Sequence, residues 1–180
     1  MQPVLVQNDF LDGKSFQAIE AVMLDPKFDW HFMDGKMRDR DGEQTTGLTP
    51  EQTNFKLASF THIFYNQITH KTSPFFDVLV PLLNKLKSET GGPKAIIRIK
   101  GNLMINTGQG VVEHGMHEDY EYDHKGAIFS INTCNGYTKI GDKKIMSEKN
   151  QLILFNPHEK HTGSTTSNAN FRCNLIINYF

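Results

Sequence analysis

From residue 95 to the last residue, apolar and polar side chains alternate in short runs. The runs cover Ala95 to Ile105, Ala127 to Thr133, Tyr137 to Ile140, Gln151 to Phe155 and Phe171 to Tyr179. Alternation with a period of two is typical of strands that bury one face. Turn-forming pairs such as Asn135-Gly136 and Asn156-Pro157 separate the runs, and no helical pattern lies between them. Several short strands at such spacing predict a β-sandwich or barrel.

The first half of the chain mixes helical and extended patterns. One helix is predicted around Phe16, Ile19, Val22 and Met23, and it ends before Pro26. A second helix opens at Pro74 and is closed by Gly91-Gly92-Pro93, and strand-like runs cover residues 28–33 and 60–65. The buried stripe predicted for the second helix comprises Phe75, Val78, Leu79, Leu82, Leu83 and Leu86. These helices are expected to support the β-structure, because residues 1–93 alone hold too few strands for a core.

We therefore predict a mainly β fold with N-terminal helices and a double-stranded β-helix core, the jelly roll that cupins also have. Residues 1–180 are expected to form a single domain, in which residues 1–93 are a mixed support layer and residues 94–180 are the core that carries the site. A polar stretch from Asp34 to Gln52 is predicted to be a long loop. Such a loop is either a lid that shapes specificity or a solvated segment without a role.

The composition and charge of the chain argue against some classes of partner and location. The formal net charge is -1 over 180 residues, and no basic stripe is interleaved with aromatic residues, so neither nucleic acid nor a membrane surface is an expected partner. No apolar run is long enough to span a bilayer, and the N-terminus lacks a secretory pattern. Cys134 and Cys173 form no CxxC motif, so two buried thiols in a reducing compartment are expected. A soluble cytoplasmic protein is the resulting prediction.

The most informative motif is His117-Glu118-Asp119, with His161 farther along the chain. On a strand, His117 and Asp119 would project from the same face. Two imidazoles and one carboxylate on one side of a metal, with open positions opposite, are typical of non-haem Fe(II) oxygenases. An HxD pair alone is a weak signal, and other histidines compete for the third position: His114, His124 and His158. We favour His161 because Thr-Gly-Ser follows it and because of its distance from Arg172.

Arg172 supplies the second half of the prediction. In the run 171–179, Phe171, Cys173, Leu175 and Ile177 share one face, and Arg172, Asn174, Ile176 and Asn178 share the other. The second face is too polar for a packed core. An arginine that faces a cavity can hold a carboxylate through two parallel hydrogen bonds, although a solvated or ion-paired arginine would produce the same pattern.

These residues together resemble the Fe(II)/2-oxoglutarate-dependent oxygenases, nearest to the prolyl-4-hydroxylase-like branch and its small bacterial and phage members. The resemblance rests on His117-Glu118-Asp119, His161-Thr162-Gly163 and Arg172, and more loosely on N-terminal phrases such as Phe28-Asp29-Trp30. It implies that His117, Asp119 and His161 bind Fe(II) and that the metal ligands are the whole catalytic set.

The same resemblance implies that Arg172 binds the far carboxylate of 2-oxoglutarate, the cosubstrate that reacts together with O2. Many relatives place Ser or Thr two residues after this arginine, where this chain has Asn174, whose amide can also donate. Asn102 is the candidate for a further contact to that carboxylate, with Arg98 second.

The implied activity is a dioxygenase that hydroxylates a substrate C–H bond and releases succinate and CO2. A prolyl residue in a peptide or protein is the substrate that the resemblance favours, while a free amino acid, another small metabolite or a nucleobase stays open. Tyr120 and Tyr122 either line the mouth of the site or are ordinary strand aromatics. The alternative functions are a non-catalytic metal- or ligand-binding jelly roll, a cupin-like enzyme that uses no oxo acid and, least favoured, a zinc hydrolase, because no HExxH motif is present.

Overall fold

The structure is a computed structural model, and it describes residues 4–33 and 58–180. The predicted loop from Asp34 to Gln52 lies outside the described residues. No helix in the described part is both long and apolar enough to cross a membrane.

The described residues form two α-helices and eleven strands. The helices are α1 (Gly13–Met23) and α2 (Val80–Thr90), and a single turn of 3-10 helix (Phe76–Leu79) leads into α2. The strands are β1 (Leu5–Gln7), β2 (His31–Met33), β3 (Ser59–Asn66), β4 (Lys71–Thr72), β5 (Ile96–Ile105), β6 (Lys125–Ser130), β7 (Cys134–Ile140), β8 (Lys143–Ser147), β9 (Gln151–Phe155), β10 (His161–Gly163) and β11 (Phe171–Tyr179).

The strands make a large sheet and a small one, with antiparallel pairing throughout. The large sheet runs β1-β9-β6-β11-β5-β3-β2, with β4 paired to β3, and the small sheet runs β10-β7-β8. The long strand β11 lies at the centre of the large sheet, between β5 and β6. Strands from the first half of the chain therefore extend the same sheet that the C-terminal strands form, and residues 1–93 contribute more than helical support.

The helices cover one face of the large sheet. Phe16 and Ile19 of α1 and Leu82 and Leu86 of α2 are buried in one cluster with β-strand residues such as Phe129. Asp12 caps α1 by accepting a hydrogen bond from the Ser15 backbone N–H at 3.0 Å. The C-terminal cap of α2 is Gly91, which has a left-handed backbone with φ of 69°. The predicted helices and most of the predicted stripe are thus confirmed.

The other face of the large sheet packs against the small sheet. A second apolar cluster, which comprises Ile128, Ile140, Ile145, Ile153 and Phe155, joins the two sheets. Because successive residues alternate between faces, Phe129 belongs to the helix-side core while Ile128 belongs to the core between the sheets. The predicted mainly β fold with a jelly-roll core is confirmed, and the space between the sheets is where the site lies.

The sequence pattern missed four strands, β1, β4, β8 and β10. Each is five residues or shorter, and a short edge strand has too few positions for alternation to stand out. The predicted strand position of His117 and Asp119 is wrong as well. His117 forms only an isolated bridge with His161, within a segment that belongs to no named strand.

Candidate metal centre

A cavity of about 170 Å³ lies between the two sheets. Its walls come from the inner faces of β3, β5 and β11, from β7 and β10 of the small sheet, and from the segment that carries His117. The lining residues that matter for the chemistry are Thr61, Lys100, Asn102, His114, His117, Thr138, His161, Gly163, Arg172 and Asn174. Most of the residues selected from the sequence therefore face one small space.

His117, Asp119 and His161 meet at this cavity. One ligand atom from each lies within 4.8 Å of the others. The Asp119 carboxylate is 3.9 Å from His117 Nε2 through Oδ1 and 3.9 Å from His161 Nε2 through Oδ2. These separations are too long for hydrogen bonds, yet they leave a common point that one ion could share. The fold thus brings the three predicted ligands together, although His161 lies more than forty positions after His117 and Asp119 in the chain.

Both imidazoles are held with Nε2 directed at the shared point. His117 Nδ1 lies 3.2 Å from the Gly115 carbonyl oxygen, and His161 Nδ1 lies 2.9 Å from the Glu159 carbonyl oxygen. A carbonyl oxygen only accepts, so each Nδ1 carries the proton and each Nε2 keeps a free lone pair. His161 Nε2 is buried and has no hydrogen-bond partner in the described part of the chain. A buried lone pair without a donor fits a metal ligand.

Two side chains from the cavity-facing side of the large sheet orient Asp119. Asn178 Nδ2 donates to Asp119 Oδ2 at 2.7 Å, and Arg98 Nη2 donates to Asp119 Oδ1 at 3.4 Å. Burial would raise the pKa of the carboxyl, but the nearby His161, Arg98 and Asn178 outweigh it and lower the pKa below the ordinary value. Asp119 is therefore an ionised ligand at neutral pH, and with two neutral imidazoles it makes a donor set that suits Fe(II).

An irregular segment brings His117 and Asp119 to this position. Its backbone bonds to residues 157–165 only at intervals, with His117 and His161 exchanging both N–H···O bonds at 2.9 Å. The Asp119 N–H reaches the Pro157 carbonyl oxygen at 3.3 Å. Because the pairing is sparse, the ligand side chains are set by these few bonds and by the groups around Asp119.

Arg172 lies at the opposite end of the cavity and is 1% exposed. Its Nη2 donates to Thr138 Oγ1 at 2.8 Å and its Nη1 donates to the Ser164 carbonyl oxygen at 3.4 Å. Its Nε has no partner, and no carboxylate of the described residues forms an ion pair with it. Burial lowers the pKa of the guanidinium to about 10, so it stays charged at neutral pH. A buried, unpaired cation is costly, and it favours an anion as the missing partner.

Asn102 and Asn174 lie between the two ends of the cavity. They are directly paired across β5 and β11, and Asn102 Nδ2 donates to Asn174 Oδ1 at 3.3 Å. Both face the same cavity as Arg172. Arg98, the second choice for the carboxylate clamp, is placed differently, because its guanidinium is engaged by Asp119 and Asn178. These contacts favour Asn102 over Arg98 for the clamp, because the alternation along β5 gave the face of Arg98 but not its partner.

The other histidines separate clearly in the structure. His124 is buried against Asn178, with Nε2 at 3.2 Å from Asn178 Nδ2, and His158 lies beside Asp123 at 3.5 Å. His114 instead lines the cavity, and its Nε2 has no partner in the described part of the chain. Burial, followed by the charge of Arg172, lowers the pKa of His114 to about 4. Sequence reasoning did not select His114, because its three-residue offset from His117 points to the same face only in a helix.

Two further groups near the site have packing roles. Tyr120 stacks on Tyr122 with ring centres 5.2 Å apart, and the Arg98 guanidinium lies 5.2 Å from the Tyr120 ring centre. Neither tyrosine lines the cavity, and neither lies on a strand, so both pack beside the site in the irregular segment. Cys134 and Cys173 are free and buried, as expected.

A second group of potential ligands, Asp29, His31 and His62, does not share the features of the first. Both ring nitrogens of His62 are engaged, Nδ1 with the Asp29 carbonyl oxygen at 2.7 Å and Nε2 with Ser73 Oγ at 2.8 Å. A metal there would have to displace one of these hydrogen bonds.

Comparison with known proteins supports the fold. No protein-family profile matches the chain, and neither does any curated protein sequence. Solved structures do match over almost the whole chain. One is an oxidoreductase of the 2OG-Fe(II) oxygenase family from Burkholderia pseudomallei, at 12% identity and a TM-score of 0.62, covering 98% of this chain and 84% of that one.

Two further neighbours carry ligands. A prolyl hydroxylase from Trichoplax adhaerens, in complex with a peptide fragment of the hypoxia inducible factor, matches at 12% identity with a TM-score of 0.58. HygX from Streptomyces hygroscopicus, with nickel, 2-oxoglutarate and hygromycin B bound, matches at 10% identity with a TM-score of 0.58. Each match covers 98% of this chain, together with 83% of the prolyl hydroxylase and 82% of HygX. The fold of this chain is therefore that of the 2-oxoglutarate- and Fe(II)-dependent oxygenases, and the resemblance noted from the sequence is confirmed at that level.

Proposed function

We propose that this protein is an Fe(II)- and 2-oxoglutarate-dependent dioxygenase. In this proposal His117, Asp119 and His161 hold Fe(II), and Arg172 holds the far carboxylate of 2-oxoglutarate. Asn102 and Asn174 contact the cosubstrate between the metal and Arg172. Bound Fe(II) would supply the activation of O2, in which the oxo acid is split into succinate and CO2 while a substrate C–H bond is hydroxylated.

The observation that carries the proposal is the pairing of two incomplete groups across one cavity. At one end, three ligand atoms converge on one point, and at the other, the Arg172 guanidinium is buried without a carboxylate partner in the described part of the chain. A metal chelator with a second carboxylate satisfies both ends at once. A simple metal-binding or ligand-binding jelly roll would need the first group but not the second.

The protein's own residues orient and shield the reactants. Arg172 is held by Thr138 and Ser164, so its guanidinium is positioned before any ligand arrives. Asn178 and Arg98 keep Asp119 ionised and oriented, which favours metal binding at neutral pH. His114 stays neutral and brings no further charge between the metal ligands and Arg172.

The substrate is the less constrained part of the proposal. The sequence resemblance favours a prolyl residue in a peptide or protein. The neighbours bind a peptide fragment in one case and hygromycin B in another, so this fold accommodates both peptides and small molecules. We also keep the prediction of a cytoplasmic protein, which the two free, buried cysteines support.

An anaerobic titration tests the proposal. Metal-free protein receives Fe(II) and then 2-oxoglutarate, and the metal-to-ligand charge-transfer band of the chelate is recorded. The band is expected in the unaltered protein, absent in His161→Ala, and dependent on far more 2-oxoglutarate in Arg172→Gln. His158→Ala is the matched control, because that histidine contacts Asp123 outside the cavity.

The result also decides between the alternatives. If Fe(II) binds but no band forms at any concentration of oxo acid, the dioxygenase proposal fails and a non-catalytic jelly roll takes its place. If substrate oxidation proceeds without 2-oxoglutarate and survives Arg172→Gln, the cupin-like enzyme is correct instead.

A further inference from the structure

Besides Arg172, a second basic side chain faces the cavity without an ion-pair partner. It is Lys100 of β5. In β5 the inner face carries Arg98, Lys100, Asn102 and Met104 in turn. Arg98 pairs across the sheet with Asn178, beside Asp119, and Lys100 pairs with Ile176 in the next row. At about 3.3 Å per residue, Lys100 is anchored some 7 Å from the Arg98 row and roughly 13 Å from the row of Arg172. It therefore stands near the metal centre, away from the carboxylate clamp.

Lys100 lacks the compensation that its neighbour Arg98 has. Arg98 forms an ion pair with Asp119 at 3.4 Å. No hydrogen bond or ion pair joins Lys100 to any acidic side chain among residues 4–33 and 58–180, although the lysine lines the cavity. Burial, followed by the charge of Arg98, lowers the pKa of Lys100 to about 8, and the charge of Asp119 opposes this only in part. The half-buried ammonium is thus largely charged at neutral pH, and such a group favours an anionic partner.

The charges of the proposed cofactors do not supply that partner. Arg98 and Asp119 balance each other, so the described cavity retains the two positive charges of Lys100 and Arg172. Fe(II) adds two more, and dianionic 2-oxoglutarate then removes two. One of its carboxylates is directed to the metal and the other to Arg172. Two positive charges remain after both cofactors are bound, and Lys100 is the one that no cofactor group neutralises.

The wall around Lys100 is also suited to a polar ligand. Across the sheet, β3 places Ile63 opposite Lys100 and Thr61 opposite Asn102, so Thr61 is a diagonal neighbour within reach of a long side chain. Thr61 lines the cavity on this side, whereas Ser59 pairs with Met104 and lies in the row of Arg172, with exposed Met33 of β2 beside it at the rim. The cosubstrate side, by contrast, is made by Arg172, Thr138 and Gly163 from β11, β7 and β10. The cavity therefore has two distinct polar walls.

We propose that the primary substrate is a small carboxylic acid whose carboxylate is bound by Lys100, with the hydroxyl of Thr61 beside it. The inference rests on the proposed function and narrows its substrate class. A prolyl residue inside a peptide chain has no charge for Lys100 to bind, so it is disfavoured.

The experiment uses the full chain loaded anaerobically with Fe(II) and 2-oxoglutarate. The probes are the free amino acids and small hydroxy acids, each tested beside its primary amide, together with proline-containing peptides blocked at both ends. Two signals are followed: the shift of the charge-transfer band on binding, and the succinate formed after O2 is admitted. Lys100→Met keeps the length of the side chain without its charge, Lys100→Arg keeps the charge, and Lys94→Met at an exposed position is the control.

At least one acid is expected to shift the band and to stimulate succinate formation, while its amide requires about tenfold more. Lys100→Met should weaken binding of that acid by about 30-fold or more, as expected for loss of one partner of a buried charge pair. The 2-oxoglutarate needed for the band should change by less than about threefold, and Lys100→Arg should retain part of the response.

Three results would overturn the inference while leaving the proposed function in place. They are a band that no acid shifts, an equal response to acids, amides or blocked peptides, and a Lys100→Met protein that needs as much extra 2-oxoglutarate as Arg172→Gln. The last result would assign Lys100 to the cosubstrate. A protein that forms no band at all instead defeats the proposed function, and this inference with it.

Discussion

Arg172 of β11 passes so close to Gly136 of β7 that a β-carbon at residue 136 would stand 2.6 Å from Arg172 Cδ and 2.6 Å from the Thr165 carbonyl oxygen. Real β-carbons do not approach so closely, and a backbone oxygen cannot move aside cheaply. The glycine therefore creates the passage through which the buried guanidinium reaches Thr138.

Gly136→Ala is expected to displace Arg172 and to weaken 2-oxoglutarate binding. The overpacked side chain should also lower the free energy of unfolding by about 1–3 kcal/mol. Urea denaturation and the anaerobic band titration measure the two effects. Gly13→Ala is the control, because open space surrounds that residue at the start of α1. An unchanged requirement for 2-oxoglutarate in Gly136→Ala would contradict this role of the glycine.

His161→Ala is expected to lower the affinity for Fe(II), and for Mn(II) as a stable substitute. The loss should exceed about 100-fold, because changes to groups that only orient the ligands typically cost about 10–100-fold. The reason is that His161 Nε2 has no other partner and points at Asp119. Calorimetric titration with Mn(II) provides the measurement. His158→Ala should bind Mn(II) as the unaltered protein does, and equal losses in the two variants would remove His161 from the ligand set.

Asn178→Ala is expected to weaken metal binding about 10–100-fold without abolishing it. It removes the 2.7 Å hydrogen bond that orients Asp119 Oδ2 and part of the interaction that keeps the carboxylate ionised. The same calorimetric titration applies, with exposed Asn84→Ala in α2 as the matched control. If Asn178→Ala binds the metal normally, Arg98 alone suffices to hold Asp119.

Stability of the metal-free protein should fall as the pH drops from about 6.5 to about 4. Burial and Arg172 lower the pKa of His114 to about 4 from an ordinary 6.5. Between these values the unfolded chain binds a proton at His114 that the folded chain does not, so acid favours unfolding. Urea denaturation over this range should show a slope that His114→Gln flattens. His70→Gln, at an exposed turn, should leave the slope unchanged.

Leu86→Ala in α2 is expected to destabilise the fold by about 2–5 kcal/mol, since Leu86 is fully buried in the helix-side cluster. That cluster lies on the face of the large sheet opposite the cavity, so Mn(II) affinity of the folded protein should stay the same. Exposed Lys87→Ala should change stability by no more than about 0.5 kcal/mol. A loss of metal affinity in Leu86→Ala would show that the two faces are coupled.

Much of the architecture follows from local pattern alone. Strict alternation assigned both faces of β11 before any partner was known, and the structure places Leu175 with the helices and Arg172 in the cavity. The apolar stripe of α2 likewise predicted which residues meet the sheet. Because side chains alternate along any β-strand, the sequence of a long central strand shows which residues share each face.

The site itself was only partly accessible in this way. Only the Thr-Gly-Ser that follows His161 distinguished it locally from His158. The strand pairing of His161 with His117 is what brings His161 rather than His158 close to Asp119. The same is true of Arg98 and Lys100, which alternate identically on β5, although one pairs with Asp119 and the other faces the cavity unpaired.

The sequence by itself thus determined the mainly β class, the helical cover and the set of polar residues available for chemistry, because periodicity and residue type are local. The tertiary structure alone decided which of those residues share a cavity, which charges are compensated and which remain open. Those outcomes depend on strand register and on contacts between residues far apart in the chain, such as Asn178 with Asp119, and no local pattern encodes the partner.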